Sequence, residues 1–442
     1  MNIFFEELLV YSVAGIIIVV ILFFYLWKRA RESRIVTDKI ERAKELGFYE
    51  PVSLHPVIDL NICIGSGACI AACPEQDILG WRNGRGETIH AARCVGHGAC
   101  FHACPVEAIS LVMGTEKRGV ELPHVNEHYE SNVPGLYIAG ELGGMGLIKN
   151  AVEQGKLAVE NISKSIHKSS PGNYDLIIIG AGPAGIGAAL TAKKNNLIFL
   201  ILDQDTLGGT VASFPRAKIV MTTPMELPLY GKVKLFETSK TELLELWKKV
   251  LTKNEITISE NTKVNSVEKM DGMFQVNSTK GEFTSRNVLL AIGRRGTPRK
   301  LGVKGEASEK VYYRLLEPEL IKNQKILVVG GGDSAIEAAM LIADEGNEVT
   351  LSYRKDSFNR IKERNYNKIN EAIVENKLKV LYNTNVQEIT EDKVYLIHND
   401  GQKTVIENDL VYVFAGGELP NDFLKNAGIS ITKKFGEVVL KH

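Results

Sequence analysis

The sequence predicts a multidomain α/β protein in which two units of buried strand, glycine-rich turn and helix follow a small cysteine-rich module and an apolar N-terminal segment. Three observations support this prediction. Short apolar runs lead into glycine clusters at two places, which is typical of buried parallel strands that bring the backbone close to a ligand. All six cysteines lie between Cys63 and Cys104. An almost wholly apolar stretch runs from Leu8 to Trp27.

The length and charge of the chain narrow the classes of function. A chain of 442 residues has room for several domains, each with its own core. Its 53 basic and 53 acidic side chains cancel, and no block of like charge stands out. Nucleic acid is therefore not an expected partner.

The apolar segment predicts one transmembrane helix and hence the membrane bilayer as a partner. As a helix, residues 8–27 would span about 30 Å, the thickness of the hydrocarbon core of a bilayer. Acidic residues precede the segment and basic residues follow it, namely Glu6, Glu7, Lys28, Arg29, Arg31 and Arg34. The positive-inside rule then places the rest of the chain in the cytoplasm. A cleaved signal peptide is disfavoured, because it would have a basic start and a shorter apolar core. The other alternative is a helix buried in the core of a domain.

The cysteines form two copies of one pattern, which begin at Cys63 and Cys94. Each copy has cysteine at its first, seventh and eleventh positions, and the last cysteine is followed by proline, as in Cys73–Pro74. This is the register of the bacterial run C-x2-C-x2-C-x3-C-P, whose fourth cysteine ligates the other cluster. Residues 55–116 therefore resemble a dicluster ferredoxin domain of bacterial type. The resemblance implies two iron–sulfur clusters, each 4Fe-4S or 3Fe-4S.

Both copies depart from the pattern at the second ligand position, which holds Ser66 in one and His97 in the other. The resemblance then leaves three cysteines for each cluster: Cys63, Cys69 and Cys104 for one, and Cys94, Cys100 and Cys73 for the other. Serine oxygen and imidazole would complete the ligand sets, or one iron would be missing, or a ligand would come from outside. Cysteine and histidine at these spacings also suit zinc. A disulfide framework is disfavoured because these thiols would face a reducing cytoplasm.

The first glycine-rich turn has the features of a dinucleotide-binding fingerprint. The apolar run at residues 175–179 leads into Gly180, Gly182 and Gly185, and an acid, Asp203, follows the next apolar run. In that fingerprint the first glycine makes a tight turn, the second lets the pyrophosphate approach, and the third lets the helix pack closely. The acid binds the ribose hydroxyls.

A second copy of the fingerprint begins at the apolar run of residues 325–329. Its turn contains Gly330, Gly332 and Ala335, and its second strand ends in Arg354 and Lys355. No acid stands there for a ribose 2′-hydroxyl, whereas two cations suit a 2′-phosphate. This favours NADP(H), with NAD(H) as the alternative if the two cations are only surface charges.

Two Rossmann-like folds, the second inserted into the first, resemble the thioredoxin-reductase-like flavoproteins. Residues 289–298, including Gly293, and residues 411–420 match the two strands that connect the FAD and NADPH domains in that family. The resemblance implies FAD as the first cofactor. The family's redox-active C-x-x-C is missing here, because residues 311–317 contain no cysteine. Thioredoxin reduction by a dithiol relay is thereby excluded.

A second departure concerns the last strand of the family, of pattern V-P-G-x-x-A-A-G-D, which contacts the flavin. Residues 132–141 have that pattern and end in Gly140 and Glu141, so the C-terminal FAD segment is predicted to be circularly permuted to a place upstream of the fingerprint. Glu141 replaces the aspartate that, by resemblance, bonds the ribityl chain. An unrelated linker is the alternative.

The predicted domains are an anchor (1–27), a charged solvated stalk (28–54), the ferredoxin-like module (55–116), the permuted segment (117–168), the FAD domain (172–300 and 408–442) and the NAD(P)H domain (301–407).

These features predict an oxidoreductase that passes electrons from NADPH through FAD to the clusters. Flavin suits this task because it accepts two electrons and releases them singly. The expected acceptor is a ferredoxin-like protein or a membrane electron acceptor, and a homodimer is expected. No general acid or base is predicted. The alternatives are a low-molecular-weight disulfide reductase, which resembles the bacillithiol-disulfide reductases, and a membrane-tethered redox sensor without turnover.

Overall fold

The chain folds into two compact units, one made of residues 1–120 with 435–442 and the other of residues 121–434. The structure is a computed structural model. It describes residues 2–440 apart from 46–48, 50, 52–53, 76, 95, 97, 118, 145, 166–173, 215–218, 222–223, 236, 295–297, 359–360 and 362.

The first unit begins with one continuous helix, Asn2–Glu45, which we call the anchor helix. It is long and apolar enough to cross a membrane, and its large apolar side chains from Leu8 to Trp27 are exposed. The prediction that residues 28–54 form a solvated stalk is wrong for one face of this helix, which is buried. Val36, Ile40 and Ala43 are buried. Their 4,3 spacing places them on one helix face, and this stripe packs on the cysteine-bearing module.

The cysteine-bearing module has two short helices and two small sheets. Its three-stranded antiparallel sheet has the order Leu54–Ile58, Ile109–Met113, Glu437–Leu440. A hairpin pairs Leu79–Arg82 with Arg85–Thr88. The helices are Ala68–Ala72, Ala99–Ala103 and the 3₁₀ turn Ala91–Arg93. The last strand corrects the predicted domain bounds, because the FAD-domain segment ends at Lys434 instead of continuing to the end of the chain. The strand pairs with the edge of Ile109–Met113 that Leu54–Ile58 leaves open.

The second unit contains the sheet expected around the first fingerprint. The strand Gly281–Leu290 pairs in parallel with Tyr174–Ile179 along one edge, and Tyr174–Ile179 pairs with Phe199–Leu202. Along its other edge, residues 281–285 pair with Met273–Ser278, and residues 288–290 pair in parallel with Leu136–Ile138. The strand upstream of the fingerprint therefore joins the sheet that contains the fingerprint strand, as predicted. Val264–Met270 completes the sheet.

A helix that follows the upstream strand packs against the helix of the first fingerprint. These helices are Ile148–Ser165 and Pro183–Lys194. They cross closely because both present glycine. A Cβ at Gly155 would lie 2.0 Å from the Ala184 carbonyl oxygen, and one at Gly187 would lie 2.3 Å from the Val152 oxygen. This close packing argues against an unrelated linker for residues 148–165.

The upstream segment also begins, in space, beside the last strand of the second unit. Val120–Pro123 pairs with Ile431–Lys434, and the His124 amide donates to the Ser430 oxygen at 2.8 Å. This is the adjacency that a circular permutation requires. The sequence also predicts that His442 lies near residues 118–122, but His442 is outside the described residues.

The second fingerprint lies in a five-stranded parallel sheet. Its order is Val311–Tyr312, Leu410–Val413, Lys325–Val329, Glu348–Tyr353, Lys379–Tyr382. An antiparallel sheet of Thr384–Ile389, Lys393–His398 and Lys403–Glu407 covers it. Helices Asp333–Asp344 and Glu363–Val374 pack on the parallel sheet.

The remaining elements of the second unit complete its surface. Helix Lys240–Lys253 begins with a capping box, in which the Ser239 side chain accepts from the Glu242 amide and the Glu242 carboxylate accepts from the Ser239 amide. The others are the strands Ile219–Met221, Met225–Leu227, Gly231–Val233 and Glu237–Ser239, the helix Asn421–Asn426, and the 3₁₀ turns Glu141–Gly143, Gly209–Val211 and Pro318–Leu320.

Candidate nucleotide and cluster sites

Both fingerprints open onto one cavity of about 1650 Å³ in the second unit. Pockets for a single small ligand usually measure roughly 300–1,000 Å³. The cavity is therefore large enough for two dinucleotides. Its wall contains both glycine turns and the ends of the strands that follow them.

The first glycine turn has the backbone that pyrophosphate binding requires. Gly180 has φ +108°, and a Cβ there would lie 2.4 Å from the Ala291 oxygen. Gly182 stands at the N-terminus of the helix Pro183–Lys194, with open space where a side chain would be. A Cβ at Gly185 would lie 1.9 Å from the Gly180 oxygen. The helix N-terminus can thus meet a phosphate directly, with its amides and positive dipole end.

Asp203 lies in the cavity wall beside this turn. One carboxylate oxygen accepts from the Ala181 amide at 2.5 Å and the other from the Asp205 amide at 2.8 Å. Burial raises the pKa of this carboxyl, and the two amide bonds oppose that effect. The amides fix the carboxylate in place, and each of its oxygens keeps a lone pair for a ribose hydroxyl.

The upstream segment brings Gly140 and Glu141 to the same cavity. Gly140 has φ +84°, and its amide donates to Gln154 Oε1 at 2.8 Å. Gly293 lies opposite, where an added Cβ would be 4.0 Å from a Glu141 carboxylate oxygen. The structure therefore brings together Gly140, Glu141 and Gly293, which come from distant parts of the sequence.

Arg294 was missed by the sequence analysis. Its guanidinium donates to the Glu121 carbonyl oxygen at 3.1 Å. Burial lowers the pKa of this group, and the nearby carboxylates of Glu141 and Glu121 oppose the effect. An arginine directly after Gly293 was the available signal, but its acidic neighbours come from the upstream segment.

The second turn repeats the backbone of the first. Gly330 has φ +144°, and a Cβ there would lie 2.5 Å from the Phe414 oxygen. Gly332 begins the helix Asp333–Asp344 with open space in front of it. Ala335 is fully buried, so a methyl group fits at the third position of this copy. The second turn is thus also suited to a pyrophosphate.

Arg354 and Lys355 line the cavity at the end of the strand that follows the second turn. Arg354 is exposed and Lys355 half-buried. A third cation of this wall, Lys368, lies on the helix Glu363–Val374 and was missed by the sequence analysis. These positive charges suit a 2′-phosphate.

Residues 311–317, which correspond to the dithiol-bearing stretch of thioredoxin reductases, make side-chain contacts with acidic residues here. Tyr313 donates to Glu306 Oε1 at 2.6 Å, and burial, together with this carboxylate, raises the pKa of the phenol. Arg314 pairs with Asp205 at 2.8 Å. No cysteine follows Cys104, so the cavity has no thiol for a disulfide relay.

The first predicted set of cysteines comes together in the first unit. Cys63, Cys69 and Cys104 line one small pocket, and Ser66 lies in the same wall. Burial raises the pKa of Cys69, and its neighbours Cys63 and Cys104 add to the effect. The arrangement matches the interlocked pattern, in which the last cysteine of one run serves the other run.

The cysteines of the second predicted set, Cys94, Cys100 and Cys73, also lie close together. Burial raises the pKa of Cys100 to about 12, and its close neighbours Cys94 and Cys73 add to the effect. It raises the pKa of Cys94 to about 11, with Cys73 again nearby. Thiols packed like this become thiolates only beside a positive partner, which the iron of a bound cluster would supply. His97 lies outside the described residues.

Backbone amides point at the sulfurs of both sets. Two amides donate to Cys63 Sγ, and one amide each to Cys94 Sγ and Cys104 Sγ; their donors are Gly65, Gly86, Gly96 and Ala108, at 3.2–3.4 Å. Amides so placed favour thiolates and tune cluster potential. Among the described residues no three Cys, His, Asp or Glu side chains form a group suited to a single metal ion.

Comparison with known proteins agrees with the predictions for the flavoprotein part and for the cysteine-bearing module. Residues 177–442 match the family model described as pyridine nucleotide-disulphide oxidoreductase, and residues 55–105 match the 4Fe-4S dicluster domain. These matches confirm the two resemblances drawn from the sequence.

Two relatives and one solved structure are similar to the flavoprotein part. A ferredoxin–NADP reductase of Pediococcus pentosaceus is 32% identical over 59% of this chain and 78% of its own length. One from Ignicoccus hospitalis is 27% identical over 59% and 83%. The bacillithiol disulfide reductase Bdr (YpdA) of Staphylococcus aureus is 26% identical, with a TM-score of 0.52, over 59% and 81%.

Proposed function

Because this chain belongs to the pyridine nucleotide-disulphide oxidoreductase family and also carries a 4Fe-4S dicluster domain, we propose that it is a membrane-anchored enzyme that passes electrons between NADPH, FAD and two iron–sulfur clusters. The acceptor beyond the clusters is a ferredoxin-like protein or a membrane electron acceptor. The names of the relatives from Pediococcus pentosaceus and Ignicoccus hospitalis support a ferredoxin-type partner.

One observation supports the proposal above all others. All six cysteines lie in the two runs whose spacing predicts the two sets, and none of them lines the cavity beside the nucleotide turns. An enzyme of this family with no dithiol needs another exit for its electrons. The two cysteine sets supply one within the same chain.

Each group of residues then has a separate task. The N-terminus of the helix Pro183–Lys194 and Asp203 hold the pyrophosphate and ribose of FAD, while Gly140, Glu141 and Gly293 shape the wall for the rest of that cofactor. Arg354 and Lys355 bind the 2′-phosphate of NADPH. When bound, FAD converts between hydride transfer and single-electron transfer. The two cysteine sets hold the clusters, with Ser66 and His97 at the second ligand position of each run.

Anaerobic titration with NADPH, followed by electron paramagnetic resonance, tests this function. We expect the flavin absorbance to bleach and two cluster signals to appear as reduction proceeds. Clusters that stay oxidised after complete flavin bleaching would contradict the proposal. Quantifying the signals also counts the clusters and distinguishes 4Fe-4S from 3Fe-4S.

A second candidate is a low-molecular-weight disulfide reductase. The similarity to the bacillithiol disulfide reductase of Staphylococcus aureus favours it. It leaves the cysteine sets without a role. Disulfide reduction by NADPH that survives loss of both clusters would support this candidate against ours.

The anchor helix supports a location in the membrane, with the part of the chain that follows Lys28 in the cytoplasm. The support is the length and apolar character of the helix and the basic residues after it. Retention of the full chain in membranes after an alkaline carbonate wash is the expected result. A homodimer stays a prediction.

A further inference from the structure

The loop that carries Cys63 of the first cysteine set has three aliphatic side chains that are largely exposed. Leu60, Ile62 and Ile64 are 44%, 48% and 65% exposed. They occupy alternate positions immediately around Cys63. We call residues 60–65 the apolar loop. Exposed aliphatic residues so close together are typical of a surface that meets another apolar surface.

The apolar loop has a defined conformation. The Cys63 amide donates to the Asp59 oxygen at 2.9 Å, and the Asn61 amide donates to Asp59 Oδ1 at 2.8 Å. The Arg85 guanidinium donates to the Leu60 carbonyl oxygen. A turn held by these bonds cannot fold its aliphatic side chains inward, so they stay on the surface.

The same loop is tied to the hairpin Leu79–Thr88. The Trp81 indole N–H donates to the Gly65 oxygen at 3.3 Å, and a Cβ at Gly65 would lie 1.9 Å from the Gly84 oxygen. Loop and hairpin turn are therefore in direct contact.

The hairpin in turn packs on the anchor helix close to the end of its apolar stretch. The Arg29 guanidinium lies 4.3 Å from the centre of the Trp81 ring, and Ser33 donates to Asn83 Oδ1 at 3.0 Å. Arg29 and Ser33 stand two and six residues after Trp27. At a rise of about 1.5 Å per residue, these contacts lie about 3 and about 9 Å beyond the apolar stretch.

The nearer contact falls within the headgroup region of a bilayer, and the farther one falls at its outer edge. A total thickness of about 40–45 Å around a hydrocarbon core of about 30 Å leaves roughly 5–8 Å of headgroup region on each side. Exposed cations stand at the same level of the helix, namely Lys28, Arg31 and Arg34. They suit anionic headgroups.

We propose that the apolar loop lies in the headgroup region of the membrane and holds the first cysteine set at the lipid surface. This rests on the proposed function, because it requires the membrane anchor and a cluster at Cys63, Cys69 and Cys104. The occupant of the apolar surface is lipid, because the loop is joined through Trp81 to the anchor helix just beyond its apolar stretch. A cluster in this position lies within reach of an electron acceptor carried by the membrane.

Fluorescence quenching in vesicles tests the placement. Ile64→Trp in the full, cluster-loaded chain is reconstituted into phosphatidylcholine–phosphatidylglycerol vesicles with or without brominated acyl chains. The emission of the parent chain is subtracted, because Trp27, Trp81 and Trp247 are present in every sample. We expect brominated lipid to remove most of the added emission and aqueous iodide to leave it. Ile62→Trp serves as a second probe if Ile64→Trp loads fewer clusters.

Glu41→Trp is the matched control. Glu41 is exposed on the anchor helix, 14 residues after Trp27, or about 21 Å further along the axis. Its emission should respond to iodide and not to brominated lipid.

Two other quenching results would contradict the placement of the apolar loop. Quenching of Ile64→Trp by iodide alone would mean that the loop faces water. Protection from both quenchers would mean that another protein surface covers it. Either result overturns the placement but leaves the proposed function intact, provided that the chain survives a carbonate wash. Release of the chain by that wash would instead contradict the membrane anchor in the proposed function.

Discussion

The two glycine turns have nearly the same backbone, and they differ in what surrounds it. In both, the first glycine has positive φ and the second begins a helix in front of open space. They differ at the third position, which is Gly185 in one and Ala335 in the other, and at the end of the next strand. There Asp203 stands in the first copy and Arg354 with Lys355 in the second. In the proposed function, the shared backbone serves the pyrophosphate, and the differing residues select which nucleotide binds.

The largest effect is expected from Gly185→Val. A Cβ at this position would meet the Gly180 oxygen at 1.9 Å, and both atoms belong to the turn that holds the pyrophosphate. Overpacking of this kind costs about 3 kcal/mol at its upper end. We expect purified Gly185→Val to have lost most of its FAD, measured by absorbance after denaturation, and to unfold at lower temperature.

Ala335→Gly is the control for this variant, because it changes the same position in the second copy. It should keep the FAD content of the parent and lose about 1 kcal/mol of stability from the added backbone freedom of glycine. Full FAD content in Gly185→Val would show that the first turn tolerates a side chain there, and the comparison between the turns would fail.

A smaller effect is expected from Arg354→Ala. Removing a hydrogen bond to a charged phosphate costs about 1.5–3 kcal/mol, or roughly ten- to a hundredfold in Kd. NADPH binding, measured by titration calorimetry, should weaken by this factor, whereas NADH binding should stay the same. Arg364→Ala is the control, because Arg364 is an exposed cation on the neighbouring helix Glu363–Val374. Equal losses for both nucleotides would remove the assigned preference.

The smallest effect is expected from Arg314→Ala. The ion pair between Arg314 and Asp205 joins the two nucleotide regions, yet both side chains are nearly half exposed. Solvent screening limits such pairs to about 1 kcal/mol or less. Thermal unfolding should therefore shift only slightly, and NADPH affinity should not change. A loss as large as that of Gly185→Val would mean that this pair, and not the turns, holds the two regions together.

The glycine positions were predictable from the sequence because local backbone demands fix them. Gly180 and Gly330 need positive φ, and no other residue adopts it as readily. The upstream strand was predictable for a similar reason, since residues 132–141 carry a recognisable pattern.

The features that the sequence analysis missed depend on distant partners. The strand Glu437–Leu440 pairs with Ile109–Met113, more than 300 residues earlier, and no local pattern specifies that choice. The packed face of the anchor helix was hidden because charged residues surround Val36, Ile40 and Ala43. Arg294 and Lys368 gained meaning only when the fold placed them beside acids or in the cavity wall.

The central claim is that electrons leave the flavin through the two cysteine sets. The most direct test combines Cys69→Ser and Cys100→Ser in one chain, which removes one cysteine from each set. Stopped-flow absorbance should show NADPH bleaching the flavin at the parent rate, because that step needs only the two nucleotide turns. Reduction of a ferredoxin in the same samples should fall to the background rate. If the double variant reduces ferredoxin as fast as the parent, the clusters are not on the electron path and the account is contradicted.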